Sequence, residues 1–427
     1  MKRVLMIGLV LVLSMGCMTG CGKDTASGGT VTLHMGLPSG ADITSQKIVD
    51  SFQKEHPEIN LVIDEAPWND FKQKLKLQIT SGNAPDVFIT DSMYTAVLGA
   101  NGAALDLTDR VEKDIKTEEY AETLFAARDA QGHLWGVPHG INPLAVYYNQ
   151  NLFDEAGLPY PTEDWTFEEL FETAKKLTKD LDGDGEPDQY GMMSGTNITT
   201  GWLPMILATG GAPLDESRTK AMFNDPKTIE GLKKYVEKVW DGFEPSTEWA
   251  AAQGGTAAFY MGKIGMYIGL HSNIPVIEKN KADGLRYDVQ IIPYGWDGKR
   301  HCVYVPNLWV INASAGEAEK EAAWTWIQYY LSEEAQTVMN EEGLDGIQTK
   351  LSVLEKMQGL ETTPANMQAF SQGLDEYGVT LFENDTIEKW NKEVTDITLR
   401  MLNKLTDFDS GVAELQTKVS AILAKEY

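Results

Sequence analysis

Apolar and polar positions alternate along the first part of the chain in segments that each have the length of one strand or one helix. A short strand-like run is followed by apolar residues at three- and four-residue spacing, and this order repeats. The successive segments contain Val31 to Leu33, then Ile48, Val49 and Phe52, then Leu61 to Ile63, then Phe71, Leu75 and Ile79, then Asp86 to Thr90. Strand, helix, strand, helix and strand at this spacing predict a parallel α/β sheet.

The later part of the chain is predicted to be mostly helical. Thr166 and Glu169 form a capping box at the start of one amphipathic helix, and Asp225 followed by Pro226 starts another. Two amphipathic segments end the chain, with apolar positions at Ile387, Trp390, Val394, Ile397 and Met401, and at Val412, Leu415, Val419 and Ile422. These elements indicate a second structural unit, which begins near residues 146–149.

Polar and aromatic residues follow the predicted strands of the first unit. In parallel sheets, ligands bind beyond the carboxyl ends of the strands. The loops around Pro38 to Asp42, Trp68 and Asp91 to Tyr94 are therefore candidate ligand contacts on geometry alone.

The N-terminus has the pattern of a bacterial lipoprotein signal peptide. Lys2 and Arg3 precede an apolar run that is too short for an ordinary membrane span. Residues 18–20 before Cys21 resemble the lipobox, in which the cysteine receives a diacylglycerol, and Cys17 fits this pattern less well. We expect residues 1–20 to be cleaved, residues 21–30 to form a lipidated flexible tether, and lipid alone to anchor the protein on the extracellular face of the cell membrane. The alternative is a plain secreted protein.

Composition excludes several function classes. Cleavage would remove Lys2 and Arg3 from the 36 basic residues, leaving 34 against 63 acidic residues and a net charge of −29. Nucleic acid and anionic membrane surfaces are poor partners for such a polyanion. After lipidation, Cys302 is the one remaining thiol, and its neighbours suggest a buried strand. The sequence contains no GxSxG, HExxH or P-loop motif, so we expect a protein that is not an enzyme.

Five stretches together resemble the family 1 extracellular solute-binding proteins of ABC importers, the maltose-binding-protein-like group. They occur in the family's order and cover nearly the whole mature chain. The stretches are LQITSGNAPDVFITD at 77–91, GVPHGINPLAVYYNQNLFDEAGL at 136–158, DWTFEELFETAKKL at 164–177, FYMGKIGMYIG at 259–269 and WVINASAGEAEKEAAWTWIQYYLSEEAQ at 309–336.

The resemblance implies an α/β protein with the two-lobed periplasmic-binding-protein type II fold and hinged lobes. Residues 31–143 with 305–350 are expected to form the first lobe, and residues 144–304 with 351–427 the second. The lobes would close on a mono- or oligosaccharide, and ABC transporter permease subunits would recognise the closed protein, which we expect to be a monomer. A surface-anchored glycoside hydrolase and a ligand-sensing adaptor for a signalling receptor are the alternatives.

Four candidate carbohydrate contacts fall in the first third of the chain. Trp68 lies where the family places cleft residues, with a core position as the alternative. Asp91 and Tyr94 follow the third strand in a loop that carries a polar contact in the family, and for Asp91 a helix cap is the alternative. Asn142 takes a position where related proteins offer a polar side chain to the sugar, with a turn-forming role before Pro143 as the alternative.

Four more candidates fall later in the chain. Trp202 is expected to stack on the sugar, with core packing as the alternative. His271 stands where the family commonly has tryptophan, which implies a ligand preference unlike that of maltose binders. Asn307 replaces a glycine common in the family, and Glu383 precedes the tail helix in a region that lines the cleft in relatives.

The segment DLDGDGEPDQYG at residues 180–191 has the spacing of a calcium-binding loop. Gly185 occupies the sharp turn, but position 12 lacks the bidentate glutamate. The oxygen donors are Asp180, Asp182, Asp184, Glu186 and Asp188. No cofactor is expected to be required; the spacing favours a structural calcium ion away from the cleft, with a solvated acidic turn as the alternative.

Overall fold

The computed structural model describes residues 29–39, 44–121, 128–129, 131–344, 346–357 and 363–425. The predicted signal peptide and the lipidation site Cys21 lie outside these residues. The strands are β1 (Val31–Ser39), β2 (Ile59–Pro67), β3 (Val87–Asp91), β4 (Val137–Asn149), β5 (Tyr190–Met193), β6 (Ile264–Leu270), β7 (Tyr287–Gln290), β8 (Cys302–Ile311) and β9 (Gly378–Val379).

Helices surround the strands on both sides. They are α1 (Gln46–Glu55), α2 (Trp68–Ser81), α3 (Ser92–Ala100), α4 (Thr108–Asp114), α5 (Gln150–Ala156), α6 (Phe167–Leu177), α7 (Leu203–Ala208), α8 (Pro226–Trp240), α9 (Thr247–Ala252), α10 (Ala257–Tyr260), α11 (Asn273–Asn280), α12 (Glu317–Tyr330), α13 (Glu333–Glu341), α14 (Leu351–Met357), α15 (Gln368–Tyr377), α16 (Ile387–Leu402) and α17 (Phe408–Leu423). A π-helical turn, Ile198–Trp202, precedes α7. No helix among the described residues is long and apolar enough to span a membrane.

The strands form one extended sheet in the order β2-β1-β3-β8-β4-β6-β5, with β7 beside β4 and β9 beside β8. β1 runs parallel to β2 and β3, as the alternation of strands and helices predicts. β8 is antiparallel to both β3 and β4, and β4 is antiparallel to β6. β4 and β8 are therefore the strands that join the two halves of the sheet.

Buried apolar residues form separate cores in the two halves. In the first half, α1, α12 and α13 contribute to one core with β1, β3 and β8, and α2 and α3 contribute to another. In the second half, α6, α8, α16 and α17 share a core with residues of β4 and β6. β4 contributes to both cores: Val137 belongs to the first-half core and Leu144 to the second-half core. The protein thus has two lobes that are connected by the long strands β4 and β8.

Local sequence signals explain many of these elements. The predicted capping box begins α6, where Thr166 Oγ1 accepts a hydrogen bond from the Glu169 amide at 3.2 Å and Glu169 Oε2 accepts one from the Thr166 amide at 2.9 Å. Cys302 is buried in β8, as predicted, and its Sγ lies 3.3 Å from the carbonyl oxygen of Leu144. Burial raises the pKa of the Cys302 thiol to about 12, so the thiol is inert at neutral pH.

β4 begins well before residues 146–149, where the sequence predicts the start of the second unit. It begins at Val137, and all of its residues are buried. Pro138, Gly140 and Pro143 resemble turn signals, but pairing with β8 outweighs them, and the pairing register shifts between Pro138 and Gly140. The irregular register therefore lies in a strand that links the lobes.

Candidate ligand-binding cleft

The carboxyl ends of the parallel strands in each lobe face the other lobe. β3 ends at Asp91, opposite Asn307 in β8, and β8 reaches this point from the second lobe. β6 ends at Leu270, opposite Leu144 in β4, and β5 runs parallel to β6. The residues after β2 and β3 thus face the loops after β5 and β6, whereas the predicted contact loop after β1 falls largely on residues 40–43, outside the described residues. Because ligands bind beyond such strand ends, we take the gap between these two edges as the candidate cleft.

Two predicted residues leave part of their surface free at the first-lobe edge. Trp68 is the first residue of α2, directly after β2, and it is half-buried against the first-lobe core. Asn307 is the one position in β8 that is not fully buried. An indole ring and a neutral amide are suited to the apolar face and the hydroxyl groups of a sugar, respectively.

Asp91 is buried, and its carboxylate is used within the first lobe. Its Oδ1 accepts a hydrogen bond from the Tyr94 amide at 2.9 Å as the N-cap of α3, and its Oδ2 accepts one from Lys72 Nζ at 2.6 Å. Tyr94 packs into the core between α2 and α3, and burial, with Glu388 nearby, raises the pKa of Tyr94 to about 12. The structure therefore gives Asp91 the alternative role of helix cap and places Tyr94 in a core.

Asn142 and His271 lie together where β4 enters the second lobe. The amide of Ser272 donates to Asn142 Oδ1 at 3.0 Å, and the amide of His271 donates to the carbonyl oxygen of Pro143 at 3.1 Å. Burial lowers the pKa of His271 to about 4, so the imidazole is neutral at pH 7, and its buried Nδ1 has no hydrogen-bond partner. A neutral ring with an unpaired nitrogen can form one hydrogen bond with a hydroxyl group.

Trp202 lies in the second-lobe core, with none of its surface exposed. Its ring meets that of Trp390 edge to face, with 6.3 Å between the ring centroids. All five residues of the π-helical turn that Trp202 ends are buried, so the indole has no direction that leads to solvent. This placement corrects the expected stacking role and agrees with the core alternative.

Glu383 connects the lobes beside Asp91, because its first-lobe partner is the next residue, Ser92. Its Oε1 accepts a hydrogen bond from Ser92 Oγ in the first lobe at 2.8 Å. In the second lobe, Arg218 Nη1 lies 3.7 Å from Glu383 Oε2 and donates to its carbonyl oxygen at 3.0 Å. Glu383 is thus held by both lobes in this conformation.

Glu383 also lines a cavity of about 690 Å³ between the lobes. The first lobe contributes α3 and part of residues 128–135, and the second contributes residues 217–219, 380 and 383–386. Among the described residues that line it, Trp135 is the one tryptophan, tyrosine or phenylalanine, and none of the other seven predicted contacts is present. This aromatic-poor lining does not match the predicted carbohydrate site.

The acidic turn lies before the amino end of β5, on the side of the second lobe away from the cleft. Carboxylate oxygens of Asp180, Asp182 and Asp188 come within 4.8 Å of one another, without Asp184 and Glu186. The amides of residues 185 and 183 donate to Asp180 at 2.9 and 2.7 Å and lower the pKa of its carboxyl group. Three of the five predicted donors are therefore grouped, and calcium binding stays a prediction.

The loop after β5, residues 194–202, was not among the predicted contacts except for Trp202. Asn197 is exposed and Thr196 is half-buried at the tip of this loop, and the loop follows a strand whose carboxyl end faces the first lobe. The signal that could have found the loop is the short strand β5, which the sequence analysis did not assign.

The model of the family of bacterial extracellular solute-binding proteins matches residues 38–337, and the chain belongs to this family. A putative binding protein of Brucella abortus (strain 2308) is 25% identical over 393 residues, covering 89% of this chain and 90% of the relative. A maltotriose-binding protein of Pyrococcus abyssi is 24% identical over 313 residues, covering 72% and 63%.

Solved structures share the fold. An ABC substrate-binding protein of Listeria monocytogenes in complex with cycloalternan gives a TM-score of 0.82 at 21% identity, covering 92% of this chain and 99% of the other. The sugar-binding protein MalE of Xanthomonas citri gives 0.77 at 19% identity, covering 92% and 98%. The predicted family and two-lobed fold are therefore confirmed, and the chain is a solute-binding protein, not an enzyme.

Proposed function

We propose that the chain is the lipid-anchored extracellular component of an ABC importer, which captures a mono- or oligosaccharide between its lobes and delivers it to the permease. One observation carries this proposal: in the part of the chain that the structure describes, the strand ends of both lobes face one gap that the sheet crosses through the two long strands β4 and β8. A ligand that contacts both edges favours the conformation in which the edges are close, because it binds that conformation more tightly.

Carbohydrate is the ligand class that the chemistry and the relatives support. At the first-lobe edge Trp68 offers an aromatic face and Asn307 an amide, and at the second-lobe edge His271 offers a neutral imidazole, so the two edges together supply stacking and hydrogen bonds. Relatives are named for binding maltotriose in Pyrococcus abyssi and diacetylchitobiose in Streptomyces coelicolor.

The test is calorimetric titration of the purified chain with malto-, chito- and arabino-oligosaccharides and with their monosaccharides. We expect one class to bind with 1:1 stoichiometry and to raise the melting temperature. Asn307→Ala should weaken that binding and leave the melting temperature of the free protein nearly unchanged. Absence of binding by every carbohydrate would contradict the proposal.

The lipid anchor rests on the N-terminal sequence alone. Cell fractionation should find the wild-type chain with the membrane and the Cys21→Ser variant in the medium. An unchanged distribution would contradict the anchor. Deletion of the gene separates the two remaining roles: loss of sugar uptake supports delivery to a permease, whereas normal uptake with a lost response to the sugar supports the sensing adaptor.

A further inference from the structure

A buried ion pair lies behind the loop that follows β5. Lys238, near the end of α8, and Glu244, four residues after that helix, expose 1% and 5% of their side chains. Lys238 Nζ lies 2.5 Å from Glu244 Oε1. Replacing such a pair by apolar residues of similar volume is often neutral or stabilising, because burial removes both charges from water. Stability alone therefore does not account for this pair.

Both charged groups bind Ser194, the first residue after β5. Lys238 Nζ donates to Ser194 Oγ at 2.6 Å. The amide and the hydroxyl group of Ser194 donate to Glu244 Oε1 at 3.2 and 3.0 Å. Tyr235 on α8 lies beneath Lys238 Nζ, 4.5 Å from the ring centre, and its hydroxyl group lies 3.4 Å from the carbonyl oxygen of Gly195. One helix and the residues after it thus hold two consecutive residues at the start of the loop.

The loop of residues 194–202 is closed tightly on these two residues. The Gly195 amide donates to the carbonyl oxygen of Thr200 at 3.0 Å, and a Cβ atom at Gly195 would lie 1.9 Å from Thr200 Oγ1, so a larger residue there would displace the Thr200 side chain. Asn197 Oδ1 accepts hydrogen bonds from the amides of Thr199 and Thr200 at 2.8 and 3.0 Å. Because the loop is internally bonded, a shift of Ser194 or Gly195 moves its exposed tip.

We propose that Lys238 and Glu244 are positioning residues that fix Ser194, and through it the loop of residues 194–202, in the shape that binds the carbohydrate at the second-lobe edge. The inference rests on the proposed function, since it assigns this loop to the carbohydrate site. Neither charged side chain reaches the cleft, so both act on affinity through the loop. A ligand site works best when the groups behind it hold it rigidly.

The test compares four variants of the full chain. Lys238→Met/Glu244→Leu removes the pair at similar volume, Ser194→Ala cuts the hydroxyl link and leaves the pair intact, and the third variant combines these changes. Lys233→Met/Glu237→Leu is the matched control, because it removes an exposed ion pair of the same helix, with 3.6 Å between the charged atoms. Calorimetry measures the affinity for the sugar that binds the wild type, urea unfolding measures stability, and hydrogen exchange measures protection of the amides of residues 195–201.

We expect the pair variant to bind sugar about tenfold more weakly, because it loses hydrogen bonds to charged groups that hold the loop. Ser194→Ala should also weaken binding, but it should add nothing in the combined variant, because it acts through the same link. Amide exchange in the loop should be faster in all three, and the control should match the wild type. Unchanged affinity in the pair variant, or additive losses, would overturn the proposal.

Failure of the proposed function gives a different result. If the wild type binds no carbohydrate, the proposed function is wrong. Faster amide exchange in the pair variant, confined to the loop of residues 194–202, would still show that the ion pair holds this loop in place. Equal exchange in the wild type and the pair variant would refute the fixation. If the pair variant does not fold, Ser194→Ala decides, because the pair remains in it: weaker binding with a normal urea midpoint supports the proposal, and wild-type binding refutes it.

Discussion

The two edges that face the cleft differ in how they use their aromatic and charged residues. The first-lobe edge leaves Trp68 half-buried and Asn307 half-exposed. The second-lobe edge has Trp202 inside the core and a buried ion pair behind its loop. Trp68 and Trp202 both stand at the start of a helix, but the segment before Trp202 is buried and the segment before Trp68 is partly exposed, so the burial of that segment separates the half-buried tryptophan from the core tryptophan.

The largest expected effect is on stability, at the second-lobe edge. Trp202→Ala should lower the free energy of unfolding by about 3–5 kcal/mol, because it empties a fully enclosed indole site. Urea unfolding measures this loss, and Trp68→Ala is the matched control with a smaller loss. If Trp202→Ala lowers the free energy of unfolding by less than about 1 kcal/mol and weakens sugar binding, Trp202 is a ligand contact and not a core residue.

The stability of the protein should depend on pH through two buried histidines, one in the linking strand β4 and one at the second-lobe edge. Burial lowers the pKa of His139, in the irregular part of β4, to about 3, and that of His271 to about 4. In the unfolded chain both take up a proton near pH 6.5. The unfolded state therefore binds more protons below this pH, and each histidine should remove up to about 1.4 kcal/mol of stability per pH unit on acidification.

The change that isolates this effect is His139→Gln. We expect the variant to lose stability less steeply than the wild type between pH 6 and pH 4, as measured by urea unfolding. His271→Gln should also reduce the slope, but its effect should end at a higher pH, near the pKa of the folded imidazole. Equal slopes for His139→Gln and the wild type would show that His139 takes up its proton without unfolding.

A smaller effect is expected at the first-lobe edge. Trp68→Ala should weaken sugar binding about tenfold, because the sugar loses an aromatic face, and should change stability less than Trp202→Ala does. Calorimetry and urea unfolding of the same preparations separate affinity from stability. Normal affinity with a large loss of stability would place Trp68 in the core and remove the difference between the two edges.

The smallest effect is expected at the acidic turn, which lies on neither edge. If calcium binds with modest affinity, saturating it should add on the order of 1 kcal/mol to stability, and chelation should remove this gain. Asp180→Asn should abolish the gain and leave sugar affinity unchanged. A wild-type chain with the same melting temperature in calcium and in chelator would favour the solvated turn.

Sequence patterns predicted the elements that depend on local chemistry. The capping box at Thr166, the apolar face of α1 and the buried thiol of Cys302 could all be predicted, because neighbouring residues determine them. The start of β4 could not be predicted, because Pro138 and Pro143 are typical of turns but here lie in a strand that pairs with β8. The same limit applies to the site: the core position of Trp202 involves Trp390 and the ion pair of Asp91 involves Lys72, both distant along the chain, whereas the Asp91 helix cap uses the nearby Tyr94 amide.

The proposed function depends on closure of the two lobes on a carbohydrate that both of them contact. Small-angle X-ray scattering of the full chain, with and without a saturating sugar identified by calorimetry, measures this closure. We expect a smaller radius of gyration with the sugar and no change with a sugar that does not bind. An identical scattering profile at full occupancy would show that the lobes do not close on the ligand.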